Sequence, residues 1–419
     1  YKWLKNFDFR PVHFESAHEN KELQVADFVS KMYWRMHQIE NEYLGKYPDK
    51  PFFWCEYSHS MGNSTGNLQE LWEFTYKHRQ LQGGFIWDWR DQGLQKTTPD
   101  GEVFYAYGGD FEPEGVYNDN NFCANGLTGS DLSPHPALSE VNKVYQNVWF
   151  VPKDLEQGMV EIENRFFFTD LKETRLSWTI LEDGLAVDSG VLEGIELAPN
   201  NSKIIRVKEV EELKKDPEKE YFINFYCRQK EEKGGVQKNA VVAKEQFLIT
   251  PAQTSESMPK KGELNVTENL DSILVKGKNF AVTFDKQQGK MVSYTVDGQE
   301  FIQKPPSMNF WRPPTDNDIG NSMPTISNVF RTDAAVSWAP EVSAMQTQDS
   351  IIINVHRRFV VIWSLQQTRY TVYKDGSIRV DVQTRFEKGL PELPRYGMRF
   401  QIPAQFGNMA YYGRGPHEN

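Results

Sequence analysis

Two periodicities divide the chain. Up to about residue 146, short continuous apolar runs alternate with stretches whose apolar positions recur every three or four residues. "PFFWCEY" (51–57) is apolar almost throughout and of strand length. "LQELWEFTYKHRQ" (68–80) places Leu68, Leu71, Trp72 and Thr75 at i, i+3, i+4 and i+7, and "GGFIWDWRDQ" (83–92) is strand-like again. The pattern predicts a β-α-β unit. Strands apolar on both faces and joined by helices imply a parallel sheet covered by helices, as in a doubly wound sheet or a (β/α) barrel. "RPVHFE" and "ADFVSKMYWRM" are candidates for further strands, with "MHQIENEYL" as a helix.

From about residue 147 the period changes to two. "MVEIENRFFF", "TRLSWTILEDGLAVDSGVLE" and "KEYFINFYCRQ" read as strands, and Asp183-Gly184 marks a hairpin turn by supplying positive φ at low cost. An immunoglobulin-like sandwich fits this stretch. The charge-dense run 208–220 reads as a solvated loop or short exposed helix. The polar, Pro- and Ser-containing segment 250–263 is the best linker. Beyond it, "FAVTFDKQQGKMVSYTVDGQEF" and "TRYTVYKDGSIRVDVQTRFE" each carry an Asp-Gly turn between alternating runs and predict a second, larger all-β domain. The expected organisation is an α/β domain over 1–146, an immunoglobulin-like β-sandwich over 147–256 and part of a large β-sandwich over 263–419.

At 419 residues the chain is long enough for several cores. Its aromatic content is high, 13% with 11 Trp, 18 Tyr and 27 Phe, which suits either a large β-rich core or a cleft that stacks sugar rings. The formal charge of −11 argues against nucleic acid or an anionic membrane as partner, because both need basic surface. The most apolar pieces, such as "FVVIWSL" (359–365), are strand-sized and too short to span a bilayer. Cys55, Cys123 and Cys227 lack the spacing of a disulfide framework or a zinc site. The first residue is Tyr1 and the last stretch, "YYGRGPHEN", has no closing element, so the chain reads as a piece of something longer.

The chemistry concentrates at strand ends. In β/α barrels and open α/β sheets, side chains at the carboxyl ends of strands face the site. Glu56 falls at such an end, followed by His59 and a turn of small residues, where a nucleophile or base would sit. A structural salt bridge or a helix cap is the competing role. The next strand ends with Trp87, Asp88, Trp89 and Asp91, so two neighbouring strands deliver carboxylates and indoles to one rim. Two carboxyl groups flanking a glycosidic bond, with an aromatic platform, are the minimum equipment for glycoside hydrolysis. Trp89 as core and Asp91 as a loop cap are the plain alternatives. On an alternating strand Cys55 points away from Glu56 and reads as a small core residue.

The runs "CEYSHSMGNSTGN", "LQGGFIWDWRDQGL", "YAYGGDF", "NDNNFCANGL" and "SPHPALSEV", with "RPPTDNDIGN" and "YYGRGPHEN" farther on, resemble the large bacterial-type β-galactosidases of glycoside hydrolase family two. The resemblance implies the C-terminal half of a (β/α)8 TIM barrel, then an immunoglobulin-like domain and part of a large β-sandwich. It implies a retaining glycosidase cleaving terminal β-galactose, with Glu56 as nucleophile, Tyr33 hydrogen-bonded to it, and His59 and Trp87 contacting the sugar. It further implies that Phe122, through its carbonyl, and Asn125 hold Na+, and more weakly that Asn118 holds Mg2+. The family's acid/base glutamate, its active-site Mg2+ ligands and its sodium-binding aspartate have no counterpart here, so the isolated chain is expected to be inactive. The same resemblance leads us to expect a homo-oligomeric parent in the bacterial cytoplasm or periplasm. A β-glucuronidase or β-mannosidase of the same family, and a non-catalytic carbohydrate-binding protein, remain as alternatives.

Overall fold

The computed structural model describes residues 1–17, 25–251, 262–333, 336–413 and 415. The chain divides into two compact units, one within residues 1–255 and the other within 256–416. The expected linker, 250–263, lies mostly outside the described residues.

The first unit opens with a short helix, α1 (Lys2–Lys5), and a stretch without regular structure that includes "RPVHFE", a candidate strand. Regular pairing begins at β1 (Val29–Met32), followed by α2 (Met36–Glu42), β2 (Phe52–Tyr57), α3 (Leu68–Lys77) and β3 (Leu81–Ile86). The three strands pair in the order β1-β2-β3, parallel throughout, with Val29 beside Phe52 and Phe52 beside Leu81. Parallel neighbours require a crossover, and α2 and α3 supply it. One apolar cluster joins the layers: Val29, Phe52, Trp54, Tyr57 and Leu81 from the strands meet Ile39, Leu68 and Phe74 from the helices. Helix α4 (Ala137–Val144) adds Ala137, Val141 and Val144 to the same cluster.

The end of β2 departs from strict alternation. Its register with β3 shifts between Trp54 and Tyr57, so Tyr57 rather than Glu56 continues the row begun by Phe52 and Trp54. Cys55, expected as a small core residue, is instead only half-buried. Cys55 is absent from the cluster and lies beside Ser30 with Glu15 nearby; burial pushes its thiol up, away from thiolate character. The slip puts Tyr57 where strict alternation would place Glu56, which leaves Glu56 out of the core.

After β3 the chain makes a small hairpin, β4 (Leu94–Thr97) with β5 (Val103–Ala106), then seven antiparallel strands. These are β6 (Val148–Asp154), β7 (Met159–Asn164), β8 (Thr174–Glu182), β9 (Leu185–Leu192), β10 (Asn201–Arg206), β11 (Tyr221–Gln229) and β12 (Val241–Thr250). They form sheets ordered β10-β7-β6 and β12-β11-β8-β9, with one core between them that includes Phe150, Ile162, Trp178, Ile180, Tyr221 and Phe225. The Asp183-Gly184 turn joins β8 to β9 with φ of 46° and 82°, as a two-residue hairpin demands. The charged run 208–220 begins with a short helix, Lys208–Glu212, that buries only Val210. Lys143 of α4 bonds the Lys244 carbonyl and the Glu245 carboxylate at 2.7 Å each, tying the α/β part to β12.

The second unit is all-β apart from short helices. β13 (Asn265–Glu268), β14 (Ser272–Lys276), β15 (Phe280–Asp285), β16 (Lys290–Val296) and β17 (Gln299–Glu300) form one antiparallel sheet in chain order. β18 (Lys304–Asn309) pairs with the last strand, Gly397–Gln401. β19 (Ser337–Gln346), β20 (Ser350–Phe359), β21 (Leu365–Tyr373) and β22 (Ile378–Arg385) form another sheet, likewise in order. The run "RPPTDNDIGN" becomes the helix Asp316–Gly320, whose Thr315 cap and Asp318 bond each other's backbone while Arg312 pairs with Asp318. Among the described residues, no helix is long and apolar enough to cross a membrane.

Candidate active site

The residues expected to carry the chemistry gather at the carboxyl ends of β1, β2 and β3. Just past β1, Tyr33 adopts a left-handed backbone conformation with φ of 53°, and its amide donates to the Glu56 carbonyl at 2.8 Å. That turn brings the side chain back over β2. The Tyr33 hydroxyl donates to Glu56 Oε2 at 3.0 Å. Burial, followed by the hydrogen bond to Glu56, pushes the Tyr33 pKa well above that of a free phenol, so Tyr33 is a fixed proton donor to the carboxylate. Among the described residues Glu56 Oε1 makes no hydrogen bond, so one oxygen is held and the other is open.

His59, three residues after Glu56, lies with its ring centroid 6.1 Å from that of Tyr33 and 5.7 Å from that of Phe122, stacked on the latter at 24°. The Ser60 amide donates to the Trp87 carbonyl at 2.8 Å and the Trp87 amide to the Tyr57 carbonyl at 3.0 Å, which locks the ends of β2 and β3 together. Trp87 is joined to Asp88 by a cis peptide bond. Asp88 then pairs with the next loop: its amide donates to the Asn125 carbonyl, and its carbonyl accepts from Leu127.

Phe122 and Asn125 sit on that loop. Phe122 is 57% exposed, whereas Asn125 is only 2% exposed. The Asn125 amide donates to the Phe122 carbonyl at 2.8 Å, and Asn125 Oδ1 is buried without a partner. A buried amide oxygen without a partner suits a hard monovalent cation, but the Phe122 carbonyl is taken by Asn125 Nδ2, so the two oxygens would converge on Na+ only with the amide turned over. Asn118 is different. Its Oδ1 accepts from the Asn120 amide at 3.0 Å, closing a turn against Gly108, so it presents no orphaned donor for Mg2+. Among the described residues, no three His, Cys, Asp or Glu side chains cluster as a metal site.

A contiguous path thus links Glu56 to Tyr33, His59, Phe122 and Asn125, and through Asp88 to Trp87; Asn118 stands off it on a neighbouring turn. Trp89, weighed as core, is 60% exposed at the rim. Asp91 takes the loop role: Oδ1 accepts from the Gly126 amide at 2.7 Å, and Oδ2 lies 3.7 Å from His135 Nε2. His135 Nδ1 in turn contacts the Gly126 carbonyl at 2.9 Å. This clamp was not anticipated. Its only trace in the sequence is the small residue of "ANGL" and the histidine of "SPHPAL".

A half-open carboxylate thus stands on the rim of a parallel β/α sheet with aromatic rings around it, one of the two carboxyl groups that glycoside hydrolysis uses. Residues 1–150 match the family described as "Glycosyl hydrolases family 2, TIM barrel domain", residues 160–250 "Beta-galactosidase, domain 4" and residues 276–419 "Beta galactosidase small chain". The three matched segments follow one another along the chain without overlap, and each is described for glycosyl hydrolases of family 2 or for β-galactosidases. The β-galactosidase of Priestia megaterium is 33% identical over 100% of this chain and 40% of its own length. That of Psychromonas ingrahamii is 31% identical over 100% and 43%, and that of Clostridium acetobutylicum 32% over 98% and 45%. The chain therefore spans less than half the length of these relatives.

Proposed function

We propose that this chain supplies the nucleophile side of a retaining β-galactosidase. The observation that carries the reading is the Tyr33–Glu56 hydrogen bond at the carboxyl ends of adjacent parallel strands, which leaves Glu56 Oε1 free to attack. The relatives' shared name supports galactose as the sugar. Residues 1–146 are read as the C-terminal half of a (β/α)8 barrel, 147–256 as the immunoglobulin-like domain and 263–419 as part of the large β-sandwich.

In this mechanism Glu56 Oε1 attacks the anomeric carbon while a second carboxyl, about 5 to 5.5 Å away, protonates the leaving oxygen. The galactosyl ester on Glu56 is then hydrolysed by water that the same second carboxyl deprotonates, with net retention. Tyr33 steadies the carboxylate through Oε2 and fixes the direction of Oε1. His59 and Trp87 shape the sugar pocket, and Phe122 and Asn125 would hold Na+. When bound, that ion supplies a positive charge to orient a sugar hydroxyl. We assign the second carboxyl, and the active-site Mg2+ ligands, to parts of the protein beyond these 419 residues. A homo-oligomer is part of the same proposal.

The test is a comparison of nitrophenyl β-galactoside, β-glucuronide and β-mannoside. The complete protein is expected to hydrolyse the galactoside with the highest kcat/KM, and residues 1–419 alone to hydrolyse none. Preference for the glucuronide or mannoside would replace galactose in the reading, and turnover by the isolated chain would refute the divided site.

A further inference from the structure

Along β20 the inward-facing row runs Ile351, Ile353, Val355, then Arg357, then Phe359; along β21 it runs Val372, Tyr370, Thr368, Gln366. Arg357 pairs across the ladder with Gln366, and Thr368 and Tyr370 continue beside it, all three neighbours buried. A polar seam thus separates two apolar clusters, one holding Ile353 and Val355, the other Phe359 and Phe310. Sandwich interiors are apolar by default, so a cation in this row needs a reason.

Among the described residues Arg357 forms no ion pair, and its hydrogen-bond partners are neutral: Nη1 donates to Ser337 Oγ at 3.1 Å, and Nη2 to the carbonyls of Gln288 at 2.9 Å and Gly289 at 2.8 Å. Three of the five guanidinium N–H groups are used in this way, leaving the Nε–H and one on Nη1. Burial pulls the Arg357 pKa down, the mark of a charge held away from water. The Tyr370 hydroxyl beside it makes no hydrogen bond among the described residues.

Arg357 borders a cavity of about 20 Å³ whose lining also includes Tyr370, Thr368, Lys290 and Ser307, and no carboxylate. A volume of that order holds one water-sized particle, since roughly 10–15 Å³ suffices for a water. Water would satisfy the donors and leave the charge uncompensated. We propose that this cavity binds a single small monovalent anion of halide size, chloride being the representative, held by Arg357, Lys290 and the Tyr370 hydroxyl.

The experiment is thermal unfolding of the complete protein at constant sodium and constant ionic strength, with chloride or bromide replacing gluconate. Holding sodium constant separates this site from the cation pair at Phe122 and Asn125. The expected result is a saturable rise in melting temperature with increasing chloride. Arg357→Met is expected to abolish the rise. Should that variant fail to fold, Tyr370→Phe is expected to shift the half-maximal chloride concentration upward severalfold, and bromide-soaked crystals to give an anomalous peak between Arg357 and Lys290. An equal response to gluconate, a chloride response unchanged in both variants, or a cavity without a bromide peak would overturn the proposal.

Discussion

Replacing Glu56 by Gln in the complete protein is expected to lower kcat for a nitrophenyl β-galactoside by roughly 10⁴- to 10⁶-fold, the scale seen when a covalent nucleophile is removed. The amide keeps the shape of the side chain and can still accept from Tyr33, so folding is expected to survive. Glu56 is only half-buried and lies outside the apolar cluster, which gives the variant little reason to melt early. KM is expected to change far less than kcat, because the lost interaction is formed on the way to the transition state. Activity within tenfold of the native enzyme, at unchanged melting temperature, would remove Glu56 from the nucleophile role.

Gly126→Ala is expected to have the second largest effect, by a different route. The loop carrying Phe122 and Asn125 is laid along the strand-like segment 88–91 by the Asp88, Leu127 and Thr128 backbone hydrogen bonds. At Gly126 a Cβ would stand 2.2 Å from the Asp91 amide nitrogen and 2.4 Å from the Arg90 carbonyl carbon, neither of which can move aside. The segment must separate by an ångström or more, breaking the Asp91–Gly126 bond and shifting both Asn125 and Trp87. A misplacement of about 1 Å costs on the order of 10²-fold in rate, and the strain about 1–3 kcal/mol in stability. The checks are kcat/KM, the sodium dependence of KM and the melting temperature; native values for all three would show that the loop does not set the site.

The two substitutions also mark what was legible in the chain. The β-α-β unit was readable because β2 and β3 are apolar on both faces and α3 keeps its 3.6-residue stripe, and from it the rim positions of Glu56 and Trp87 followed. The Asp183-Gly184 hairpin was equally plain, since few dipeptides tolerate positive φ twice. Three sandwich strands went unread: Val148–Asp154 carries Pro152, while Asn201–Arg206 and the rim of Val241–Thr250 are too exposed to alternate cleanly.

Periodicity was blind to the rest of the site. Tyr33 reaches Glu56 through one left-handed residue, and Asn125 is placed by backbone bonding within an irregular loop; neither device leaves a repeating signal. Their residues were singled out by resemblance to a family, and the physical cause of their positions emerged only from the geometry. Alternation likewise gives no sign that Tyr57 rather than Glu56 follows Trp54 into the core. Arg357 stands beside Arg358 in the sequence, and nothing marks which of the two turns inward until the register of β20 against β21 is known.

The central claim is that Glu56 becomes covalently bonded to the sugar. It is tested most directly by inactivating the complete protein with a 2-deoxy-2-fluoro-β-galactosyl fluoride and sequencing the labelled peptide by mass spectrometry. The account predicts one fluorogalactosyl group per active site, carried by Glu56 within "FFWCEYSHSM". A label on any other carboxylate, or inactivation without a covalent adduct, would contradict it.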